Sequence, residues 1–348
     1  MNKFCTFTGV VEDRHDPEKV GRVRVRCLGL HSESKTDLPT EDLPWAQPML
    51  PTTAGGISGL GQSPTFLVHG TWVFGYFRDG DSYQQPVILG VLPGRPSEYS
   101  SRWYSKAFYD GDHIYPKYIN ESDTNRLATG DTSLVNEIRT ATRITNVATA
   151  DFDAQTAADG STIAGSDTTT FSQPPIRYNA VYPYNKVTET ESGHILEFDD
   201  TPDKERILLY HHSGTETEIT AAGTKNEVNK DSTHTITEKD NKVYIKGSSD
   251  LTIGGRHKII INADGQSDNN YDIQIGPNAN VNIQVDKGDI NMAALDGNIN
   301  MFANNNLNMR VGGTYTLVAG KIEETSQSTT TRTAQNEYHT YGNPIDHN

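Results

Sequence analysis

From about residue 228 to 320 the apolar residues arrive in pairs two apart, and the pairs recur mostly every eight residues. The pairs are Val243 and Ile245, Leu251 and Ile253, Ile259 and Ile261, then after a short insertion Ile273 and Ile275, Val281 and Ile283, Ile290 and Met292, Ile299 and Met301, Leu307 and Met309, Tyr315 and Leu317. A spacing of two places both members on one face of a strand. Turn-forming glycines punctuate the repeat at Gly247, Gly254, Gly288, Gly297 and Gly312. The pattern predicts a stack of short strands, each carrying two inward apolar side chains. One such octad buries almost nothing, so burial has to come from stacking, within the chain or with other chains. Three copies wound together would enclose their stripes on a common axis and pair each strand with a neighbour's, leaving open edges only at the two ends. Roughly twelve layers at about 4.8 Å each give a rod of about 55 Å. The same periodicity is met by a single-chain β-helix.

Composition agrees with a chain of thin cores. Hydrophobic residues make up 34% of the 348, against ~45–50% in ordinary domains on a count that includes glycine. The net charge of −15 raises the cost of approaching phosphate backbones or an anionic membrane surface, so no nucleic-acid partner is expected. No run approaches the roughly 18 consecutive apolar residues of a membrane span. The start MNKFCTFTGVVEDRHD lacks the basic and then apolar layout of a signal peptide. Synthesis and assembly in a cytoplasm are expected.

The other regions are read from their local patterns. Between Phe4 and about Leu92 the runs FCTFTGVV, GRVRVRCLGL, TWVFGYF and PVILGVL are short β-type segments separated by turn residues, which predicts a small all-β barrel. In GRVRVRCL, Val23, Val25 and Cys27 share one face while Arg22, Arg24 and Arg26 share the other. The arginine face is expected to be solvated or to meet another subunit, because no aromatic stacking platform for single-stranded nucleic acid accompanies it. Cys5 and Cys27 lie in runs that a hairpin would bring near each other, and both are expected to be reduced core residues. The stretch 99–174, with TATRITNVATADFDAQTAADGSTIAGSDTTT, reads as an extended linker with a short helix near NEIRTATRI and no packed catalytic domain. The chain is therefore all-β: a barrel over 1–98, a linker over 99–174, a β-rich root over 175–227, and a needle with its tip over 228–348.

The densest polar cluster is TETESGHILEFDD, with Glu189, Glu191, His194, Glu197, Asp199 and Asp200. Paired carboxylates suit acid/base work, yet the pattern is better met by a hairpin with strands through HILEF and RILLY and a turn at DDTPDKE. Alternation sets Glu191, Glu197 and Asp199 on one face with Ile195, and His194, Leu196, Phe198 and Asp200 on the other. His211 and His212 are adjacent, so in a strand they would face opposite ways and could not share an ion within one chain. His339 and His347 lie in the terminal run EYHTYGNPIDHN, where three-fold symmetry would gather copies about an axis. An exposed tail or a seat for a separate tip protein is expected there. No P-loop, dinucleotide fingerprint, CxxC pair, G-x-S-x-G elbow or H-E-x-x-H occurs. No catalytic residue, cofactor site or metal ligand set is assigned. A carbohydrate-active or carbohydrate-binding β-helix is the rival reading, but the repeat's outward positions are mostly Asn, Thr, Asp, Gln and Lys with little aromatic surface.

Several long runs carry a family resemblance: GVVEDRHDPEKVGRVRVRCLGLH from Gly9, PTEDLPWAQP from Pro39, SGLGQSPT from Ser58, VILG from Val87, and YPYNKVTETESGHILEFDDTPDKERI from Tyr182. In these the chain resembles the central spike proteins of T-even-type phage baseplates and, more distantly, the spikes of type VI secretion. The resemblance implies an OB-fold collar that binds a hub ring of the tail, a homotrimer, and an intertwined triple-stranded β-helix pointing at the host outer membrane. It also implies a non-enzymatic, cell-puncturing part of the virion that plugs the tail tube. The T-even relative carries a lysozyme-type domain between barrel and helix. Here that interval holds only the linker, so its activity is not expected. Some phage spikes end in a metal-bound His-x-His pair, and the end of this sequence has none.

Overall fold

The computed structural model describes residues 5–94, 123–130, 147–150, 169–171, 178–249, 251, 253, 255–261, 271–285 and 287–334. The chain forms two units, Met1–Asp272 and Ile273–Asn348.

The first unit opens with a closed barrel. Its strands are β1 (Cys5–Asp13), β2 (Val23–Cys27), β3 (Trp45–Pro48), β6 (Trp72–Phe77) and β7 (Pro86–Val91), with the short hairpin β4 (Gly55–Ile57) and β5 (Leu60–Gly61) inserted between β3 and β6. The order around the barrel is β1-β2-β3-β7-β6. Neighbours are antiparallel except β3 and β7, which run parallel through Gln47 opposite Val87 and Pro48 opposite Ile88. Five strands closed in this order make an OB-type barrel. The expected strands are all present, and β3 and the β4–β5 hairpin are added. β3 escapes a pattern search because it is four residues long and ends in a proline that cannot donate to the ladder.

Alternation holds in β2. Val23, Val25 and Cys27 enter the core with Phe7, Val11, Ala46, Val73, Phe77 and Ile88. Gly75 lets β6 and β7 close over Phe7: an added Cβ would fall 2.1 Å from the Val87 carbonyl oxygen and 2.6 Å from Phe7 Cζ. The β1–β2 register sets Gly9 opposite Cys27. Cys5 is thus four residues, about 13 Å of strand, away from the partner position, and both cysteines are free. Burial pushes the Cys27 thiol up to about 12, so it stays an unreactive thiol. Maleimide labelling of the native protein at pH 7.5 (about a unit below an ordinary thiol) is expected to modify Cys5, with Cys27 reacting only after denaturation. Peptide mass spectrometry reads the sites directly.

Within the interval 99–174, helix α1 (Arg126–Thr129) is capped by Asn125, whose side chain accepts from Leu127 N. β8 (Val147–Ala150) pairs with β9 (Thr169–Phe171). The helix expected near NEIRTATRI lies outside the described residues.

A five-stranded antiparallel meander follows: β10 (Asn185–Glu189), β11 (Ile195–Asp199), β12 (Arg206–Tyr210), β13 (Glu216–Ile219) and β14 (Lys225–Val228). The hairpin read through HILEF and RILLY is β11–β12, registered from Ile195 opposite Tyr210 to Asp199 opposite Arg206. Its buried face carries Ile195, Leu208 and Tyr210, which pack with Leu127 of α1, and it also carries Glu197, Asp199 and Arg206. The opposite face is apolar and open: Leu196, Phe198, Ile207, Leu209 and Ile219 are all exposed. The ladder sets them side by side, Leu196 opposite Leu209, Phe198 opposite Ile207, and Ile207 opposite Ile219.

Beyond Val228 no described residue belongs to a strand. The octad stripe lies exposed there, with Ile259 at 55% and Ile261 at 41%. In the second unit Ile283 is 74% exposed, Ile299 56% and Leu307 61%. Among the described residues no helix is long and apolar enough to cross a membrane.

Candidate functional site

The barrel's arginine row is not the solvated surface expected as one reading of it, because each guanidinium is held within the chain. Arg26 is fully buried. It donates through Nε to Glu12 Oε1 at 2.7 Å and through Nη2 to Glu12 Oε2 at 3.0 Å, and it also reaches the carbonyls of Ser32 at 2.6 Å and Leu38 at 2.9 Å. The loop after β2 therefore folds back over the outer face of the barrel. Arg24 donates to the carbonyls of Glu41 and, at 2.7 Å, Leu43, and its guanidinium lies 4.5 Å from the centre of the Trp45 ring. Arg22 pairs with Asp16 at 2.8 Å. Asp16 also accepts from the backbone N–H groups of Glu18, Val20 and Arg22, which shapes the β1–β2 loop. The Arg22 guanidinium beside it holds the Asp16 carboxyl far below the usual range, against the opposing effect of burial. A row so committed has little capacity left for phosphates.

The acidic cluster of the root also disperses. Glu197 is buried; its Oε1 accepts from Arg206 Nη2 at 2.5 Å and from Asn185 Nδ2 at 2.6 Å. Arg206 Nη1 reaches Glu218 at 3.5 Å, and the guanidinium lies 5.4 Å from the Tyr178 ring centre. Asp199 accepts from Thr201 N and Oγ1, Glu189 accepts from Asn125, and Asp200 pairs with Lys186. Glu191 lies beyond β10 and forms a two-pronged pair with Arg14, tying the β1–β2 loop of the barrel to the β10–β11 turn. The carboxylates thus serve separate structural contacts and do not face one cleft as an acid/base pair must. A nearby surface pocket includes Tyr178, Asp203, Lys204, Glu205, Arg206 and Thr220 in its lining, and Glu189, Glu191, His194, Glu197, Asp199 and Asp200 are not part of it.

The two adjacent histidines do come together, contrary to the expectation from alternation. β12 ends at Tyr210, so His211 and His212 sit in a turn, closed by Gly214 N donating to the His211 carbonyl at 2.8 Å and His211 N donating to the Thr215 carbonyl at 2.8 Å. Extending the β11–β12 register by one residue sets His194 beside His211. The ring centres are 4.4 Å apart for His194–His211, 4.4 Å for His211–His212 and 5.1 Å for His194–His212. Each offers one ligand nitrogen, all within 4.8 Å of one another. Packing of its neighbours lowers the His211 pKa, and repulsion from His194 and His212 adds to it. Among the described residues a second group, Asp13, His15 and His69, meets the same spacing. The sequence signal was present in HILEF and RILLYHH, but it required the hairpin register. His339 and His347 lie outside the described residues.

Residues 29–174 match the family described as the Gp5 N-terminal OB domain. The match includes β3, β6 and β7, to which β1 and β2 add the remaining staves. Protein Gp5 of Vibrio phage KVP40 is 38% identical over 275 residues, covering 73% of this chain and 64% of the relative. The pre-baseplate central spike protein Gp5 of Enterobacteria phage T4 is 40% identical over 134 residues, covering 37% of this chain and 23% of that protein. The chain therefore spans less than two thirds of the length of either relative.

Proposed function

We propose, from the premise that this chain is a relative of the Gp5 proteins and carries their N-terminal OB domain, that it is the structural central spike of a contractile phage tail baseplate. It is a homotrimer and a component of the virion. The barrel is the collar that seats on the hub ring, and the repeat from about 228 onward is an intertwined triple-stranded β-helix that plugs the tube and pierces the host outer membrane, with a separate tip protein at its end. Sheath contraction drives the tube forward, and the needle passes that force on. Its stiffness comes from strand pairing between chains, and its resistance to unfolding from the need to unwind three chains at once. The spike is non-enzymatic, and the dispersed, structurally engaged carboxylates of the root support that reading.

One observation carries the trimer. The root sheet leaves Phe198 45% and Leu209 61% exposed on its open face, and the repeat that follows it in sequence leaves its apolar stripe exposed along its described length. Apolar exposure of this extent calls for a partner. Second and third copies of the same chain supply identical stripes and the missing strand neighbours. Size-exclusion chromatography with light scattering is expected to give three times the chain mass, and the species is expected to survive SDS without boiling. A clean monomer would sink the spike as described and return the single-chain β-helix.

A further inference from the structure

We propose that His194, His211 and His212 form a binding site for a divalent transition-metal ion of the zinc, nickel or copper type. The three rings come from two turns at one end of the root sheet: His194 follows the β10–β11 turn, and His211 and His212 open the β12–β13 turn. Their ligand nitrogens already lie within 4.8 Å of one another. A tetrahedral ion at about 2.0–2.1 Å from each nitrogen needs them about 3.3–3.4 Å apart. Small side-chain rotations suffice for that, since His211 and His212 are exposed and His194 is half-buried.

Ser213 positions one ligand. His211 Nδ1 accepts from Ser213 N at 3.2 Å and lies 2.8 Å from Ser213 Oγ, so the turn holds this ring in place beside His194 and His212. His194 Nδ1 accepts only a long bond, 3.4 Å, from His212 N, which is cheap to give up. Three imidazoles without a carboxylate suit borderline metals and do not suit calcium or magnesium, which take oxygen ligands. Exposure leaves the fourth position to water.

The site also has a distinctive place in the fold. β14 pairs Val228 with Glu216 at the same end of the sheet, and Lys230 N donates to Thr215 Oγ1 at 3.1 Å. The histidines therefore stand beside the point where the chain leaves the sheet for the repeat. An ion there would cross-link the β10–β11 and β12–β13 turns at that junction. All three ligands belong to one chain, so no second copy is needed to complete the set.

The test is titration of the full-length protein with Co²⁺, read by its visible d–d absorption, and with Zn²⁺, read by calorimetry. One ion per chain is expected at this site, together with a Zn²⁺-dependent rise in thermal midpoint. His194→Gln/His212→Gln should remove one equivalent, the Co²⁺ bands and the midpoint rise, while leaving the metal-free melting curve in place. His15→Ala, which breaks the competing Asp13, His15 and His69 group, should change none of these readouts. Absence of binding overturns the proposal. So does binding that persists in the double variant or disappears in His15→Ala.

Discussion

Ile299→Asp is expected to convert the trimer to monomers, whereas Asn300→Asp leaves it intact. The two positions are adjacent in one octad, so period two puts them on opposite faces. In the proposed needle Ile299 faces the axis, and in the single chain it is 56% exposed. An aspartate there is buried without a partner, at about 3 kcal/mol or more per chain, and three-fold symmetry brings three like charges to one level. The loss is tripled while the charge change matches that of the control. Light scattering and unboiled SDS electrophoresis give the answer. Retention of the trimer by Ile299→Asp would show that the stripe does not line an axis.

Arg26→Ala is expected to destabilise the barrel by about 3–5 kcal/mol, the cost typical of breaking a buried ion pair from one side. The Arg26 and Glu12 side chains are 0% and 1% exposed. Truncation strands the carboxylate and frees the Ser32 and Leu38 carbonyls that hold the covering loop. Urea unfolding followed by tryptophan fluorescence measures the change, with Trp45 in β3 and Trp72 in β6 as reporters. Lys186→Ala breaks an ion pair whose partners are 71% and 58% exposed and should cost about 0–1 kcal/mol. Adding Glu12→Leu to an Arg26→Met background should recover much of the loss, because an apolar pair leaves no uncompensated charge. A loss below 1 kcal/mol for Arg26→Ala would mean that the loop is held by other contacts.

Much of this architecture was legible from local spacing. The alternation of β2, the HILEF–RILLY hairpin and the octads each follow from side chains two apart pointing the same way. The structure carries the first two directly. The spacing even separated Ile195, Glu197 and Asp199 from Leu196 and Phe198. Ordinary hydrophobic reasoning would then bury the apolar set, yet the sheet buries Glu197 and Asp199 and exposes Leu196 and Phe198. Periodicity divides the faces but does not say which one the rest of the chain covers.

The sequence by itself determined β1, β2, β6, β7 and the β11–β12 hairpin, the faces of those strands and the family likeness, because these depend on neighbours a few residues apart. Only the tertiary structure decided what the polar side chains meet. Arg26 finds Glu12 and the loop beyond β2, Arg206 finds Glu197 and Glu218, and Arg14 joins the barrel to the root at Glu191. His211 and His212, which strand geometry would have parted, are gathered with His194 because β12 stops one residue earlier and the chain turns. Strand register and the point at which a strand ends set these contacts, and both are outcomes of packing across long sequence separations.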